Sequence, residues 1–309
     1  MRGDREHRRV VLVTGASTGI GLELVRILKK KSSYFTVATA RKSSLSRFNA
    51  LGLQESENFI IRPLDVTSGA ERERLVREIE AKWNGVDVLV NNAGISYRAV
   101  VEHTRFTDEN SQFDCNYFGP MRLIRLILPG MRKKRKGHII NVSSAGGSMA
   151  MPTMGNYNAS KFALEGASEA LWYEMRPWGI KVNIIQPGFV RSRAYQNVVY
   201  SASSRKSMLD KSDPYHAYYK YMGEFIGSMM ERAPATSSKI ARRIYKAIER
   251  PSHRLRIPST LDARFFYYFR RLLPRRIYHY ILFRSLPKID DWVEPSETSP
   301  LTREGFVEE

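Results

Sequence analysis

The feature that most constrains this chain is a regular alternation of short apolar runs and amphipathic stretches over residues 10–190. The apolar runs are rich in Val and Ile, which is typical of strands that are buried on both faces of a parallel sheet. The stretches between them repeat their apolar residues with helical spacing. Parallel strands need crossover connections, so the alternation predicts an α/β fold: a single Rossmann-type doubly wound parallel sheet with helices on both faces.

The predicted strands share this apolar character and end at turn residues; they lie at 10–13, 35–40, 59–64, 86–90, 138–142, 180–186 and 255–258, about seven in all. Helices are predicted at 22–31, 68–83, 106–135 and 153–176, and again within 193–250, including one at 237–250. In such sheets ligands bind beyond the carboxyl ends of the strands. The loops that follow the strands are therefore the candidate site.

The loop after the first strand has the glycine pattern of a dinucleotide site. Glycines let the backbone approach a pyrophosphate closely, and the N-terminus of the next helix offers free N–H groups and a positive dipole end. Because the loop lies between a strand and a helix, the pattern predicts cofactor binding rather than a tight turn without a ligand. The predicted contacts are Gly15, Ser17, Thr18, Gly19, Ile20 and Gly21.

The residues after the second strand favour NADP(H) over NAD(H). Sites for NAD(H) usually place a carboxylate here for the ribose 2′-hydroxyl, whereas this strand ends at Ala40 and is followed by Arg41 and Lys42. A carboxylate would repel a 2′-phosphate, and an arginine fork would hold it. The alternative is a solvated pair of charges in a loop.

Tyr157 and Lys161 are four residues apart, which places both on one face of the predicted helix. An ammonium close to a phenol favours the phenolate, so the tyrosine could exchange a proton nearer neutral pH. The same spacing occurs by chance on many helix surfaces. The pair gains meaning from the loops that we expect beside it.

As a set, the loop motifs resemble those of the short-chain dehydrogenase/reductase family over roughly residues 10 to 200. The matching runs are Thr14-Gly15-x-x-x-Gly19-x-Gly21, Asp65-Val66, Asn91-Asn92-Ala93-Gly94, Asn116, Ser143-Ser144, Tyr157-x-x-x-Lys161 and Pro187-Gly188. The resemblance implies hydride transfer between a nicotinamide cofactor and a carbonyl or an alcohol, as in a carbonyl reductase or an alcohol dehydrogenase.

The resemblance also implies roles for four catalytic residues. Tyr157 would be the general acid/base, and Ser144 would hydrogen-bond the reacting oxygen, with Ser143 the weaker candidate. Lys161 would lower the pKa of Tyr157 and hold the nicotinamide ribose. Asn116 would hold a water in a proton relay, unless it is an ordinary helix amide.

Further cofactor contacts follow from the same resemblance. Asp65 and Val66 would flank the adenine. The ribose edge and the nicotinamide would be contacted by Asn92, Ala93, Gly94, Tyr157, Lys161, Pro187, Gly188, Val190 and Ser192. Ser192 stands where threonine is more usual in the family, and it keeps the hydroxyl group.

Composition limits the partners. Lys and Arg number 50 against 31 Asp and Glu, a formal charge of +19, which suggests attraction to nucleic acid, anionic lipid or a phosphorylated cofactor. The favoured alternative is that the charge serves solubility or non-specific attraction to anions. No nucleic-acid motif, zinc-ligand spacing or repeat is apparent, so we expect neither nucleic acid nor a metal. Cys115 is the single cysteine, and neither a signal peptide nor an 18-residue apolar run occurs. A cytoplasmic protein is expected.

We expect a catalytic domain at 1–258 with a substrate lid at about 193–235, a helical extension at 259–290 and a disordered acidic tail at 291–309. The lid is rich in Tyr and Met, which suits either an apolar substrate or plain helix packing. The helical extension, together with the Arg-x-Arg-Ile-Pro strand before it, resembles the hydroxysteroid and retinol dehydrogenase branch. That branch implies a steroid, retinoid or lipid-like substrate and a place in lipid metabolism.

Two interpretations of residues 264–284 remain open. The segment carries six arginines and no acid among its aromatic residues, and Pro274 breaks it. It could lie on an anionic membrane surface, making the protein peripheral at a membrane. It could instead be a pair of helices that covers the sheet edge or the lid.

Two other functional classes compete with an oxidoreductase. The first is a non-catalytic nucleotide-binding scaffold or sensor, and the second is an epimerase or dehydratase of the same fold. Intact Ser144, Tyr157 and Lys161 argue against both. The resemblance also implies a homodimer through the helices that contain Asn116 and Tyr157, although the extension could block this pairing.

Overall fold

A computed structural model describes residues 8–191 and 198–293 of the chain. The strands are β1 (Arg9–Val13), β2 (Tyr34–Ala40), β3 (Phe59–Pro63), β4 (Val88–Asn91), β5 (Tyr97–Arg98), β6 (Gly137–Val142), β7 (Ile180–Gln186), β8 (Val199–Tyr200) and β9 (Arg256–Pro258). The α-helices are α1 (Gly19–Lys29), α2 (Ser46–Ala50), α3 (Gly69–Trp83), α4 (Phe106–Phe113), α5 (Gly119–Lys134), α6 (Gly155–Met175), α7 (Ala202–Leu209), α8 (His216–Arg232), α9 (Ser237–Glu249), α10 (Leu261–Leu272) and α11 (Arg275–Arg284).

The main sheet has seven parallel strands in the order β3-β2-β1-β4-β6-β7-β9. This confirms the predicted doubly wound α/β fold. The strand order reverses direction beside β1, and the loops after β1 and β4 meet at that point, where open α/β sheets bind their ligands. A second, two-stranded parallel sheet joins β5 to β8.

Alternate residues of β1 pack into two separate cores. Val11 and Val13 face the core that includes Leu24 of α1, whereas Leu12 faces the core that includes Ile79 of α3. All five side chains are fully buried. The uninterrupted apolar run of β1 therefore reflects helices on both faces of the sheet.

The helix predicted at 106–135 is interrupted. A single π-helical turn, Asp114–Phe118, separates α4 from α5, and in it the Gly119 N–H donates to the carbonyl of Asp114, five residues back. Pro120 has no N–H to donate to the carbonyl of Asn116, which removes the bond that an uninterrupted α-helix would form there. Single π-turns of this kind are frequent at functional sites.

The predicted helical pair near the C-terminus is present as α10 and α11, with Pro274 as the N-cap residue of α11. The inner side of α10 packs on the sheet edge and the candidate site, whereas much of its outer side is exposed. Within residues 8–191 and 198–293, no helix is both long enough and apolar enough to span a bilayer. The division into domains stays a prediction.

Candidate active site

The glycine loop after β1 is built for close backbone contact. Gly15 has a φ of +64°, and a Cβ placed on it would lie 2.8 Å from the Cα of Ala93. A Cβ on Gly21 would lie 2.5 Å from the carbonyl oxygen of Gly15. Side chains at these two positions would therefore force the loop apart, so both glycines are required for its shape.

Asn92, which directly follows β4, stabilises this loop by hydrogen bonds. Its Nδ2 donates to the carbonyl oxygens of Thr14 and Gly15 at 3.0 and 3.1 Å. The hydroxyl of Thr14 in turn accepts from the N–H groups of Asn92 and Ala93, both at 3.0 Å. Both amide hydrogens of Asn92 are used in this way, so its side chain positions the loop, and a direct contact with ribose stays a prediction.

The ends of β2 and β3 place Arg41 and Asp65 side by side in the sheet order. Arg41 is exposed and forms no ion pair with another residue of the described chain. The Oδ1 of Asp65 accepts from the N–H and the hydroxyl of Thr67 at 2.9 and 2.7 Å, while Val66 is buried beside it. This edge therefore offers one uncommitted cation and one ordered carboxylate.

Ser144 and Tyr157 line one cavity of about 200 Å³. The hydroxyl of Ser144 accepts from the N–H of Gly146 at 3.0 Å and caps the turn that follows β6. The hydroxyl of Ser143 points elsewhere and donates to the buried carboxylate of Glu165 at 2.9 Å. Of the two adjacent serines, Ser144 is therefore the one that faces Tyr157.

Burial dominates the proton affinity of Tyr157. It raises the pKa of the phenol, and a hydrogen bond with Ser144 acts in the opposite direction. Burial also lowers the pKa of Lys161 to about 8. The ammonium donates to the carbonyl of Val142 at 3.0 Å and lies 5.9 Å from the centre of the Tyr157 ring.

The pKa of Tyr157 differs from the prediction that Lys161 lowers it, because this pKa is raised. The reason is that the phenol is desolvated, while the ammonium is directed at a backbone carbonyl of β6 rather than at the phenolic oxygen.

The amide of Asn116 is fully buried on the π-turn and is committed to protein partners. Its Oδ1 accepts from the N–H of Ile95, and its Nδ2 donates to the carbonyl of Ile95, both at 2.9 Å. Nδ2 also donates to the hydroxyl of Ser160 at 3.1 Å. The side chain thus ties α6 to the loop after β4, and it could hold a water only through the second lone pair of Oδ1.

The loop after β7 is held by the C-terminal extension, which the sequence did not indicate. The N–H of Gly188 donates to the hydroxyl of Thr260 at 2.9 Å, and the N–H of Phe189 donates to the carboxylate of Asp262 at 2.7 Å. Thr260 is recognisable in the sequence as a helix N-cap, but its partner 72 residues away is not. Asp262 also lines the cavity beside Tyr157.

Three other residues of the loop after β7 were predicted to contact the cofactor: Pro187, Val190 and Ser192. Pro187 accepts through its carbonyl from the N–H of Ala145 at 2.6 Å, which joins the two loops on either side of the cavity. The side chain of Val190 is buried in the apolar core, so only its backbone could reach a cofactor. Ser192 lies outside the described residues.

Residues 9–202 match the family described as short chain dehydrogenase. The chain therefore belongs to the short-chain dehydrogenase/reductase family, a family of oxidoreductases that act on small substrates and commonly form dimers. The resemblance inferred from the loop motifs is thereby confirmed.

Individual relatives extend this result. The chain is 32% identical over 286 residues to the uncharacterized oxidoreductase YusZ of Bacillus subtilis, which covers 91% of this chain and 99% of the relative. It is 37% identical over 180 residues to a 3-ketodihydrosphingosine reductase of Bacteroides thetaiotaomicron, covering 58% of this chain and 63% of the relative. Among solved structures, the closed form of serine dehydrogenase complexed with NADP⁺ is 25% identical with a TM-score of 0.64, covering 80% of this chain and 94% of that chain.

Proposed function

We propose that this protein is an NADP(H)-dependent oxidoreductase that interconverts a carbonyl and a primary or secondary alcohol on an apolar, lipid-like substrate. The observation that carries the proposal is that Tyr157 and Ser144 line one largely apolar cavity, at the same carboxyl edge of the parallel sheet as the glycine loop. A partly buried tyrosine with a hydroxyl neighbour, on the same sheet edge as a dinucleotide cradle, is the arrangement that carbonyl reduction requires.

Two features of the proposed cofactor groove, which is formed by the loops after β1 and β2, support a dinucleotide with a 2′-phosphate. A Cβ on Gly15 would collide with Ala93, and one on Gly21 with the carbonyl of Gly15, so the two glycines keep the loop in the tight shape that lets backbone approach a pyrophosphate. Arg41 has no carboxylate partner among the described residues, so its guanidinium is available for a phosphate. The relative crystallised with NADP⁺ is consistent with this choice of cofactor.

The residues of the chain divide the chemistry among them. A bound nicotinamide dinucleotide supplies or accepts the hydride. In reduction, Tyr157 donates its proton to the substrate oxygen, and the raised pKa of its phenol keeps that proton in place at neutral pH. Ser144 hydrogen-bonds the same oxygen and orients it. Lys161 directs its ammonium at the carbonyl of Val142 and would hold the nicotinamide ribose beside Tyr157.

The cavity walls support an apolar substrate. The apolar residues that line it are Met149, Met151, Met154, Phe189, Val198, Ile226, Met230 and Phe266. Methionine side chains adapt their shape to flexible apolar ligands. The similarity to a 3-ketodihydrosphingosine reductase agrees with a ketone on a long-chain molecule as the substrate class.

A screen of NADPH oxidation tests the proposal. The panel contains long-chain 3-keto compounds, steroid ketones, retinal and short aliphatic aldehydes, with NADH as the parallel cofactor. We expect turnover of at least one apolar carbonyl and little turnover of the short aldehydes. Tight NADPH binding without turnover of any compound would instead favour the nucleotide-binding scaffold.

A second proposal concerns the outer surface of α10 and α11, which suits contact with an anionic membrane. Each helix exposes a stripe of apolar residues at helical spacing, between 40% and 78% exposed: Leu261, Phe265, Tyr268 and Leu272 on α10, and Ile277, Tyr280 and Ile281 on α11. Exposed arginines border the stripes. This pattern is typical of helices that lie in the membrane interface.

A further inference from the structure

A second and larger cavity, of about 490 Å³, lies behind the loop that carries Ser144. It is open to solvent and lies between α6 on one side and α10 and α11 on the other, and it is separate from the cavity beside Tyr157. Its lining includes Gly147 and Ser148, which continue the Ser144 loop. No residue of this cavity has a part in the proposed reaction.

Positive charge accumulates in this cavity. Arg270, Arg271 and Arg275 line it, and none of the three forms an ion pair with a described residue. Arg256 also lines it but is paired with Glu165 and Glu169 at 3.0 and 2.8 Å. Arg270, Arg271 and Arg275 are exposed to solvent, and Glu165 and Glu169 lie nearby, so four arginines and two carboxylates leave an excess of positive charge around this space.

Two of these guanidinium groups are held in place by aromatic rings. Arg270 lies 5.2 Å from the ring centre of Phe162 and donates to the carbonyl of Ser148. Arg271 lies 4.3 Å from the ring centre of Tyr267. Stacked guanidinium groups lose less freedom when they bind, and their fork geometry matches the oxygens of a phosphate.

The hydroxyl of Tyr278 provides an independent indication of a ligand. Tyr278 is only 3% exposed, it lines the cavity, and its hydroxyl has no hydrogen-bond partner among the described residues. Buried hydroxyl groups in folded proteins nearly always have a partner. The oxygen itself has almost no exposed surface, so an acceptor in the cavity would reach this donor once the side chains that cover it move aside.

We propose that the cavity between α6 and the α10–α11 pair binds a phosphate-bearing anion, through Arg270, Arg271, Arg275 and the hydroxyl of Tyr278. This site is distinct from the cofactor groove, because Arg41 follows β2, near the opposite edge of the sheet from β9 and α10. The bound anion would fasten the extension to α6 and to the Ser144 loop, since Arg270 already contacts Ser148. The site therefore links an anionic ligand to the stability of the active-site wall.

Titration with inorganic pyrophosphate, at ionic strength held constant with sodium chloride, tests the site by calorimetry and by thermal unfolding. We expect saturable binding and a rise in Tm. Arg271→Gln combined with Arg275→Gln should weaken binding by about tenfold or more, because two charged hydrogen-bond donors to the anion are lost. The matched control is Arg276→Gln, because Arg276 is exposed beside Arg275 but does not line the cavity.

Tyr278→Phe is the sharpest variant, because it removes only the unpartnered hydroxyl. We expect it to fold with an unchanged or higher Tm and to bind pyrophosphate several-fold more weakly. Arg41→Gln is titrated in parallel, because pyrophosphate could also bind in the cofactor groove, and binding at the cavity survives in that variant. Equal affinity in the wild type, Tyr278→Phe and the double arginine variant would overturn the proposal.

Two further binding experiments distinguish a soluble phosphate from a lipid headgroup as the ligand. Glycerol 3-phosphate represents a soluble ligand, and vesicles of phosphatidylcholine with phosphatidic acid represent a lipid headgroup. Binding of either that depends on the Tyr278 hydroxyl supports the site and identifies the source. Binding of neither, together with no effect of pyrophosphate on Tm, rejects it.

Discussion

At the scale of single residues, the neighbouring Ser143 and Ser144 form different contacts. Ser144 contacts the Tyr157 phenol, whereas Ser143 is held by Glu165 on the far side of the same loop. Sequence could favour Ser144 only by resemblance, since both residues follow the same strand. What separates them is the direction in which each side chain leaves the chain after β6, and this depends on a carboxylate that lies 22 residues away.

Substitution of each serine separates the two roles. We expect Ser144→Ala to lower kcat by about 10²-fold, because a hydrogen bond to the reacting oxygen is lost, with little change in Tm. Ser143→Ala should leave kcat within a few-fold of the wild type and lower stability by about 1 kcal/mol, because a buried hydrogen bond is lost. Steady-state kinetics and thermal unfolding measure both. A larger kinetic effect for Ser143→Ala would contradict the assignment.

The proposed preference for NADP(H) depends on Arg41. We expect Arg41→Asp to weaken NADPH binding by about tenfold to a hundredfold, since a charge-assisted contact of about 1.5–3 kcal/mol is replaced by repulsion, while NADH binding changes little or improves. Lys42→Asp is the control, because it makes the same charge change one residue further along the loop. Fluorescence titration measures the two cofactors. Tighter binding of NADH than of NADPH by the wild type would refute the argument.

At the scale of elements, periodicity and turn signals predict the sheet well. β7 lies at the predicted residues 180–186, and the other main-sheet strands deviate by at most two residues at either end. These strands are buried on both faces, so their apolar runs are unbroken. The two-residue strands β5 and β8 are too short to leave a periodic signal, and their pairing depends on contacts across about a hundred residues of chain.

The break between α4 and α5 could have been anticipated. Pro120 is visible in the sequence, and proline inside a helix removes the bond to the residue four positions earlier, which is Asn116. The sequence did not predict that the side chain of Asn116 donates to the carbonyl of Ile95 and the hydroxyl of Ser160. Those partners come from other elements and become visible only in the fold.

The contact between α10 and the loop after β7 makes an element-scale prediction. Thr260 caps α10 by accepting from Ala263 N–H and also accepts from Gly188 N–H beside the cavity. We expect Thr260→Ala to lower stability by about 1–2 kcal/mol, from the lost cap, and to raise KM as the loop loosens.

The matched control is Thr236→Ala. Thr236 caps α9 in the same way, accepting from Lys239 N–H at 3.3 Å, and it does not line the cavity. We expect a comparable loss of Tm without a change in KM. If the two variants have the same KM, the loop after β7 does not depend on the extension for its function.

At the scale of the whole molecule, part of the excess positive charge is concentrated in the C-terminal extension. The formal charge is +19, and six arginines of the extension lie on two short helices without an acid between residues 264 and 284. The sequence left two interpretations of this segment open. The helices do pack on the domain, and their outer surface still exposes apolar stripes, so packing and membrane contact are compatible.

Flotation with vesicles tests the membrane surface. We expect binding to vesicles that contain an anionic lipid and weak binding to neutral vesicles. Binding to the anionic vesicles should decline as the salt concentration is raised from about 0.1 M towards about 1 M, because salt screens the arginine charges. Phe265→Ser with Leu272→Ser should reduce binding without altering Tm. Leu209→Ser is the control, because Leu209 is 86% exposed on a different helix. Binding that is independent of the first pair would place the contact elsewhere.

Proton transfer by Tyr157 in a carbonyl–alcohol interconversion is tested by comparing NADPH oxidation by the wild type and by Tyr157→Phe. With an apolar ketone accepted by the wild type, we expect kcat to fall by about 10² to 10⁴ in the variant, because the general acid is removed. The affinity for NADPH, measured by fluorescence titration, should be nearly unchanged. If the variant keeps the wild-type kcat, Tyr157 is not the general acid.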